Sequence, residues 1–138
     1  MYNRIMIASD GSGPSVNAAR IAGEIAKAFS CSVTVVTVAY VPRIYASDMG
    51  AELREGYVEE WKRVLASTAA VVERLGVKPE TRLLEGDDPA QAVLGEIDGR
   101  YDLLVVGRTG AGNPGSKMMG GVSRKLIEGS TCAVLLVR

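Results

Sequence analysis

Short, unbroken apolar runs alternate along this chain with longer segments in which apolar residues recur every three or four positions. The first run, residues 4–9, is closed by Asp10, Gly11, Ser12 and Gly13 and reads as a short buried strand. Pro14 then suits the first turn of a helix, where its missing N–H removes no bond. Ala19, Ala22, Ile25, Ala26 and Phe29 mark the predicted buried face of that helix. Residues 32–38 form the most β-branched stretch and predict a central strand, with Ala39 and Tyr40 trailing. Residues 43–50 show no period and predict a loop. Leu53, Tyr57, Trp61, Val64, Thr68, Val72 and Leu75 then predict a long amphipathic helix that stops near Gly76.

A short strand is predicted over residues 81–84. Asp88, Pro89 and Gln91 then supply an acidic N-cap, a first-turn proline and a polar third position, so a helix is predicted to run to about Ile97. Residues 102–106 predict a strand, residues 122–128 a helix, and residues 133–137 a final strand. Continuous apolar strands separated by helices predict an α/β fold: an open, mostly parallel five-stranded sheet with helices on both faces, Rossmann-like in its layering. No linker, repeat or low-complexity tract interrupts the pattern, which predicts one domain over residues 1–138.

A chain of 138 residues buries roughly two-thirds of its unfolded surface, enough for a core without disulfide or metal staples. Its 16 basic and 16 acidic residues balance, so it lacks the basic excess of a nucleic-acid-binding domain. It contains no histidine, which excludes Ser-His-Asp triads and most catalytic zinc sites. Cys31 and Cys132 lie far apart without metal or redox spacing, and both are expected to be structural thiols in the core. The apolar run over residues 5–8 is too short for a signal-peptide core, and no window approaches the length of about 18 apolar residues that spans a bilayer. A cytoplasmic protein with no membrane partner is expected.

Candidate chemistry collects at the C-terminal ends of two predicted strands, where open α/β sheets bind ligands. One segment is Ser9-Asp10-Gly11-Ser12. The other runs from Gly107, Arg108 and Gly110 to Gly120, Gly121, Val122 and Ser123. A turn of exposed N–H groups leading into a helix N-terminus makes an anion-binding concavity. The alternative is a surface loop whose glycines only make turns; a dense cluster between an apolar strand and a helix favours the anion site. Arg108, Lys117 and Ser123 are candidate charge or hydroxyl contacts. Neither the P-loop nor the dinucleotide fingerprint is present. Asp10 either caps the turn that follows it or meets a phosphate through a divalent cation or a water. Trp61, by its place in the helical stripe, is assigned to core or interface packing rather than to a ligand.

These segments make the chain similar to the universal stress protein family along nearly its whole length. Residues 4–15 resemble the family's opening strand and Asp-containing loop, residues 83–97 its Gly-x-Pro region, and residues 102–138 its C-terminal signature. The family's ATP-binding branch carries Gly-x2-Gly-x9-Gly-Ser/Thr. Here Gly107, Gly110 and Gly120 keep the spacing, and Gly121 stands where the hydroxyl residue is expected. The resemblance implies an adenine-nucleotide site, with ATP and Mg²⁺ as cofactors. In it Asp10 lies near the ribose and phosphates and is the candidate metal ligand, Val38 meets adenine through its backbone, and Val106 lines the base or sugar pocket. Ala8 replaces a frequent proline. The candidate binding set is Ala8, Ser9, Asp10, Val38, Val106, Gly107, Arg108, Gly110, Gly120, Gly121, Val122 and Ser123, with no catalytic residue. The resemblance also implies a homodimer paired through the last strand. Three functions remain open: an ATP-binding stress-response regulator, which leads; a nucleotide-free interaction module, suggested by Gly121; and a slow Mg-dependent ATPase, for which Asp10 is the one acidic group in view.

Overall fold

The computed structural model of the chain describes residues 2–40, 51–109 and 119–138. The loop expected over residues 43–50 therefore lies outside the described residues, as do Gly110 and Lys117. The order is β1 (Arg4–Ala8), α1 (Gly13–Phe29), β2 (Ser32–Tyr40), α2 (Ala51–Glu73), β3 (Glu80–Gly86), α3 (Pro89–Ile97), β4 (Leu103–Gly107), α4 (Gly121–Gly129) and β5 (Ala133–Val137).

The strands form one five-stranded sheet in the order β3-β2-β1-β4-β5, and every neighbouring pair is parallel. Alternation along the strands sends Ile5, Ile7, Val33, Val35 and Val105 to one face, against Ala18, Ala22 and Ala26 of α1 and Leu65 and Val72 of α2. Met6, Val36, Val38, Leu104 and Val106 face the other way, against Val93 and Ile97 of α3 and Leu126 of α4. Central strands buried on both faces require the near-continuous apolar runs seen in the sequence. The small residues of α1 let it lie close to the sheet.

Both helix starts with cap residues form as their chemistry dictates. Ser12 caps α1, accepting a 3.4 Å bond from the Ser15 N–H, with Pro14 in the first turn. Asp88 caps α3, accepting from the Gln91 N–H at 3.2 Å, with Pro89 following. At the opposite, N-terminal end of the strands, the Asp102 carboxylate accepts N–H bonds from Asn3 at 2.8 Å and Arg4 at 2.9 Å, and its own N–H donates to the Arg4 carbonyl at 2.9 Å. Asp102 thus aligns the start of β4 with the start of β1.

Two sequence expectations are corrected. Phe29 is 68% exposed rather than buried, because it is the last residue of α1 and projects past the sheet. Cys31 is buried and its thiol donates to the Tyr2 carbonyl at 2.7 Å, but Cys132, just before edge strand β5, is only partly buried. Among the described residues, no helix is long and apolar enough to cross a membrane.

Candidate functional site

The chain leaves β1 toward α1 on one face and leaves β4 toward α4 on the other. The C-terminal ends of these adjacent strands therefore diverge and open a crevice, the place where such sheets bind ligands. A cleft of about 540 Å³ occupies it, within the range of small-molecule sites.

The β1 side is a turn held by its own side chains. Asp10 Oδ1 accepts from the Ser12 N–H at 2.9 Å and from the Ser15 hydroxyl at 3.1 Å. Ser9 Oγ lies 2.8 Å from Thr68 Oγ1 and 3.2 Å from Ser15 Oγ, and it accepts from the Gly11 N–H at 3.2 Å. Gly11 has φ +82°, a conformation that strains other residues, and a Cβ there would also come within 3.2 Å of Val64 on α2. Asp10 therefore does form the turn, as one of its two readings supposed, and it lines the cleft as well. Turn-making and cleft-facing are not exclusive for this carboxylate.

The β4 side is clasped by backbone. The Arg108 N–H donates to the Val137 carbonyl at 2.7 Å, and the Arg108 carbonyl accepts from the Gly120 N–H at 2.9 Å. That second bond brings the two ends of the glycine segment together at the mouth of the cleft. Gly107 has a packing reason to be glycine: a Cβ there would sit 2.8 Å from the Ser15 nitrogen and 2.9 Å from the Pro14 carbonyl carbon. The close approach it permits is of α1 to β4. Ser123, buried in the first turn of α4, donates its hydroxyl proton to the Gly107 carbonyl at 2.7 Å. The hydroxyl expected as a ligand contact therefore commits its proton to this carbonyl. Gly120 is the N-cap of α4 and, among the described residues, this helix start has no side-chain capping bond; its first residues, Gly121, Val122 and Ser123, line the cleft. Among the described residues no group of three or more acidic, Cys or His side chains gathers to hold a metal, and Asp10 is the one carboxylate on the described cleft wall.

Ten of the twelve candidate residues line this cleft: Ala8, Ser9, Asp10, Val38, Val106, Gly107, Gly120, Gly121, Val122 and Ser123. Arg108 is not on its wall and contributes its backbone instead; Gly110 lies outside the described residues. The cleft also takes in Ser12, Ser15, Val36, Trp61, Pro89, Val93, Thr109 and Leu126. Of these, Pro89 carried a signal, since it begins a helix at the ligand edge of the sheet. Trp61, which the stripe assigns to core or interface packing, is half-buried and forms part of the cleft wall.

A family model described as the universal stress protein family matches residues 1–138. A universal stress protein of Thermus aquaticus is 35% identical over 141 residues, covering all of both chains. One from Methanocaldococcus jannaschii is 32% identical over 141 residues, covering all of this chain and 83% of its own. Among solved structures, a universal stress protein in complex with cAMP superposes with a TM-score of 0.77 at 23% identity, over 99% of this chain and 97% of that one. The Archaeoglobus fulgidus protein in complex with dAMP gives a TM-score of 0.76 at 21% identity, over 99% and 98% of the two chains. An Arabidopsis thaliana family protein with AMP bound gives 0.70 at 21% identity, over 98% and 90%. At these identities the structural matches establish a shared fold.

Proposed function

The chain belongs to the universal stress protein family, and on that premise we propose that its cleft binds an adenine nucleotide, ATP with Mg²⁺ in the first instance, and that the bound state regulates the protein as a dimer. The observation that carries this reading is the uncapped N-terminus of α4, set across the β1–β4 crevice from the Asp10 turn. Main-chain N–H groups and the helix dipole suit the phosphates. Val36, Val38, Val93, Val106 and Leu126 supply apolar wall for a base and sugar. That proteins of the same fold are known in complex with cAMP, dAMP and AMP supports an adenine nucleotide as the ligand class.

Mg²⁺ fits this site only as a guest of the phosphates. It is a hard cation that keeps several waters and commonly takes one or two carboxylates alongside phosphate oxygens, and Asp10 supplies one carboxylate. When bound, the ion would neutralise phosphate charge beside Asp10. The chain's own residues do the rest: the α4 N–H groups orient the phosphates, and Ser12 and Ser15 fix the Asp10 rotamer.

We further propose a homodimer through β5, which lies at the sheet edge with Val134, Leu135 and Leu136 only partly buried. An apolar edge with open backbone groups is a template for another strand. The balanced charge supports a protein without a nucleic-acid partner, and we place it in the cytoplasm.

Calorimetric titration of nucleotide-stripped protein with Mg-ATP tests the binding. Saturable heat below millimolar ATP is the expected result. No heat at millimolar ATP or AMP rejects this reading in favour of a nucleotide-free interaction module, which the missing hydroxyl at Gly121 favours. Sedimentation equilibrium at micromolar concentration should give about twice the chain mass of 14.6 kDa, and a clean monomer rejects the dimer.

A further inference from the structure

We propose that Trp61 reads the base of the bound nucleotide by stacking its indole on the adenine ring. The inference rests on the nucleotide reading above and assigns a role to a residue that the sequence pattern places in packing. Trp61 is the sole tryptophan of the chain and, among the described residues, the one aromatic side chain on the cleft wall.

Its position is fixed by the two turns of α2 that follow it. Trp61, Val64 and Thr68 share one helix face at three- and four-residue spacing. Thr68 Oγ1 lies 2.8 Å from Ser9 Oγ at the end of β1, and Val64 closes over Gly11, whose Cβ would come within 3.2 Å of it. With these two contacts locking α2 to the β1 turn, the next turn out brings Trp61 to the cleft. Further along the helix, Leu65, Thr68 and Val72 are buried, whereas Trp61 is half-buried.

The cleft is polarised. The N-terminus of α4 and Gly107 stand on the β4 side. Val36 and Val38 stand on the β2 side and face α3 and α4, while α2 packs on the other face through Leu65 and Val72 beside Val33 and Val35; Trp61 nonetheless lines the same cleft as Val36 and Val38. A nucleotide with its phosphates on α4 directs its base toward β2 and Trp61. An indole there supplies a flat apolar face of the kind that base–aromatic stacking uses, and stacking discriminates a nucleotide from a bare phosphate.

The test uses the intact chain with AMP and tripolyphosphate as probes. AMP should quench the Trp61 emission saturably, at the midpoint that calorimetry gives for AMP. Tripolyphosphate should compete with ATP and leave the emission nearly unchanged. Trp61→Leu should weaken AMP about tenfold while changing tripolyphosphate less than about twofold, and Trp61→Phe should restore AMP affinity to within about threefold of wild type. If the leucine variant does not fold, the wild-type emission and the phenylalanine variant still decide. AMP heat with unmoved emission, or with wild-type AMP affinity in Trp61→Leu, overturns the stacking role and leaves the nucleotide reading standing. An equal loss of AMP and tripolyphosphate affinity in Trp61→Leu overturns it as well, since the side chain would then only support the fold. Absence of AMP and ATP heat in the wild type overturns both.

Discussion

The Ser123 hydroxyl donates a 2.7 Å hydrogen bond to the Gly107 carbonyl, joining the first turn of α4 to the last residue of β4. The bond spans the glycine segment and sets where the α4 N-terminus points. Ser123 is 6% exposed and Gly107 is partly buried at the cleft, so removing the hydroxyl takes away the side-chain donor of the Gly107 carbonyl. Ser123→Ala should therefore lower the unfolding free energy by about 1–3 kcal/mol in urea titrations. It should also weaken nucleotide binding although the serine proton does not reach the ligand, because the helix start loses its tether. Wild-type stability in the alanine variant would show that the backbone clasp between Arg108 and Gly120 suffices.

Gly107→Ala should be the more damaging change at this end of the sheet. Its new Cβ would press on main-chain atoms of Pro14 and Ser15 at 2.8–2.9 Å, and these cannot swing aside as a side chain tip can. Relief requires α1 to shift, which moves Ser12 and Ser15 and with them the Asp10 carboxylate. A loss of about 1–3 kcal/mol in chemical denaturation is expected, as for overpacked cores. A variant as stable as wild type would mean that the α1–β4 contact is loose.

Most of the sheet was legible because its strands are buried on both faces, which forces apolar runs such as residues 103–106. The edge strand β3 was read short, over residues 81–84, because its exposed positions at Glu80 and Glu85 relax that pattern. The exposure of Phe29 and the place of Trp61 at the cleft share a cause. The 17-residue α1 is about 26 Å long and the 23-residue α2 about 34 Å, whereas the five-residue β1 spans about 17 Å and the nine-residue β2 about 30 Å, so each helical stripe outruns the strand before it. Periodicity gives the face of a residue and not its height above the sheet. Ser12 was legible as the end of the candidate segment after β1, but Ser15 carried no signal. They reach the cleft through the Asp10–Gly11 turn, whose geometry depends on Gly11 adopting positive φ and fitting beneath Val64.

Asp102 gives the fold a pH dependence. Its carboxylate accepts the Asn3 and Arg4 N–H bonds, which hold its pKa below the ordinary aspartate range. A group whose folded pKa is depressed adds stability that is present above its unfolded value, near 4, and is lost as the pH falls through the folded value. Asp102→Ala should therefore be less stable than wild type at pH 7, and the gap should narrow as the pH drops below about 4. Carboxyl NMR titration should place the Asp102 midpoint below that of an unstructured aspartate. A gap that stays constant from pH 7 to pH 2 would assign the effect to packing rather than charge.

The two thiols should differ in the native state. Cys31 is buried and bonded to the Tyr2 carbonyl, while Cys132 is partly exposed beside the edge strand. Native labelling with a thiol reagent should modify Cys132 first and Cys31 only on unfolding. If β5 forms the dimer contact, labelling of Cys132 should slow as protein concentration rises. A rate independent of concentration would weigh against that interface.

Gly121→Ser tests where the phosphates sit. The family motif has a hydroxyl residue at this position, and the structure offers room for one: none of the described residues outside its own helix turn approaches within 4 Å of a Cβ built on Gly121. The residue is the first of α4, so its backbone is already helical and serine strains nothing. The substitution should raise stability slightly, since serine is a better helix former than glycine by a few tenths of a kcal/mol. Its hydroxyl would join the uncapped N–H groups of the helix start as a further donor to phosphate. A net gain of about 1 kcal/mol corresponds to roughly fivefold tighter ATP binding in calorimetry. The gain should be larger for ATP than for adenosine, which has no phosphate to receive the bond. Equal changes for both ligands, or none for ATP, would place the phosphates away from α4 even if the nucleotide binds. Binding that appears only in the serine variant would mean that the chain keeps the cleft but, with glycine at position 121, holds phosphate too weakly to use it.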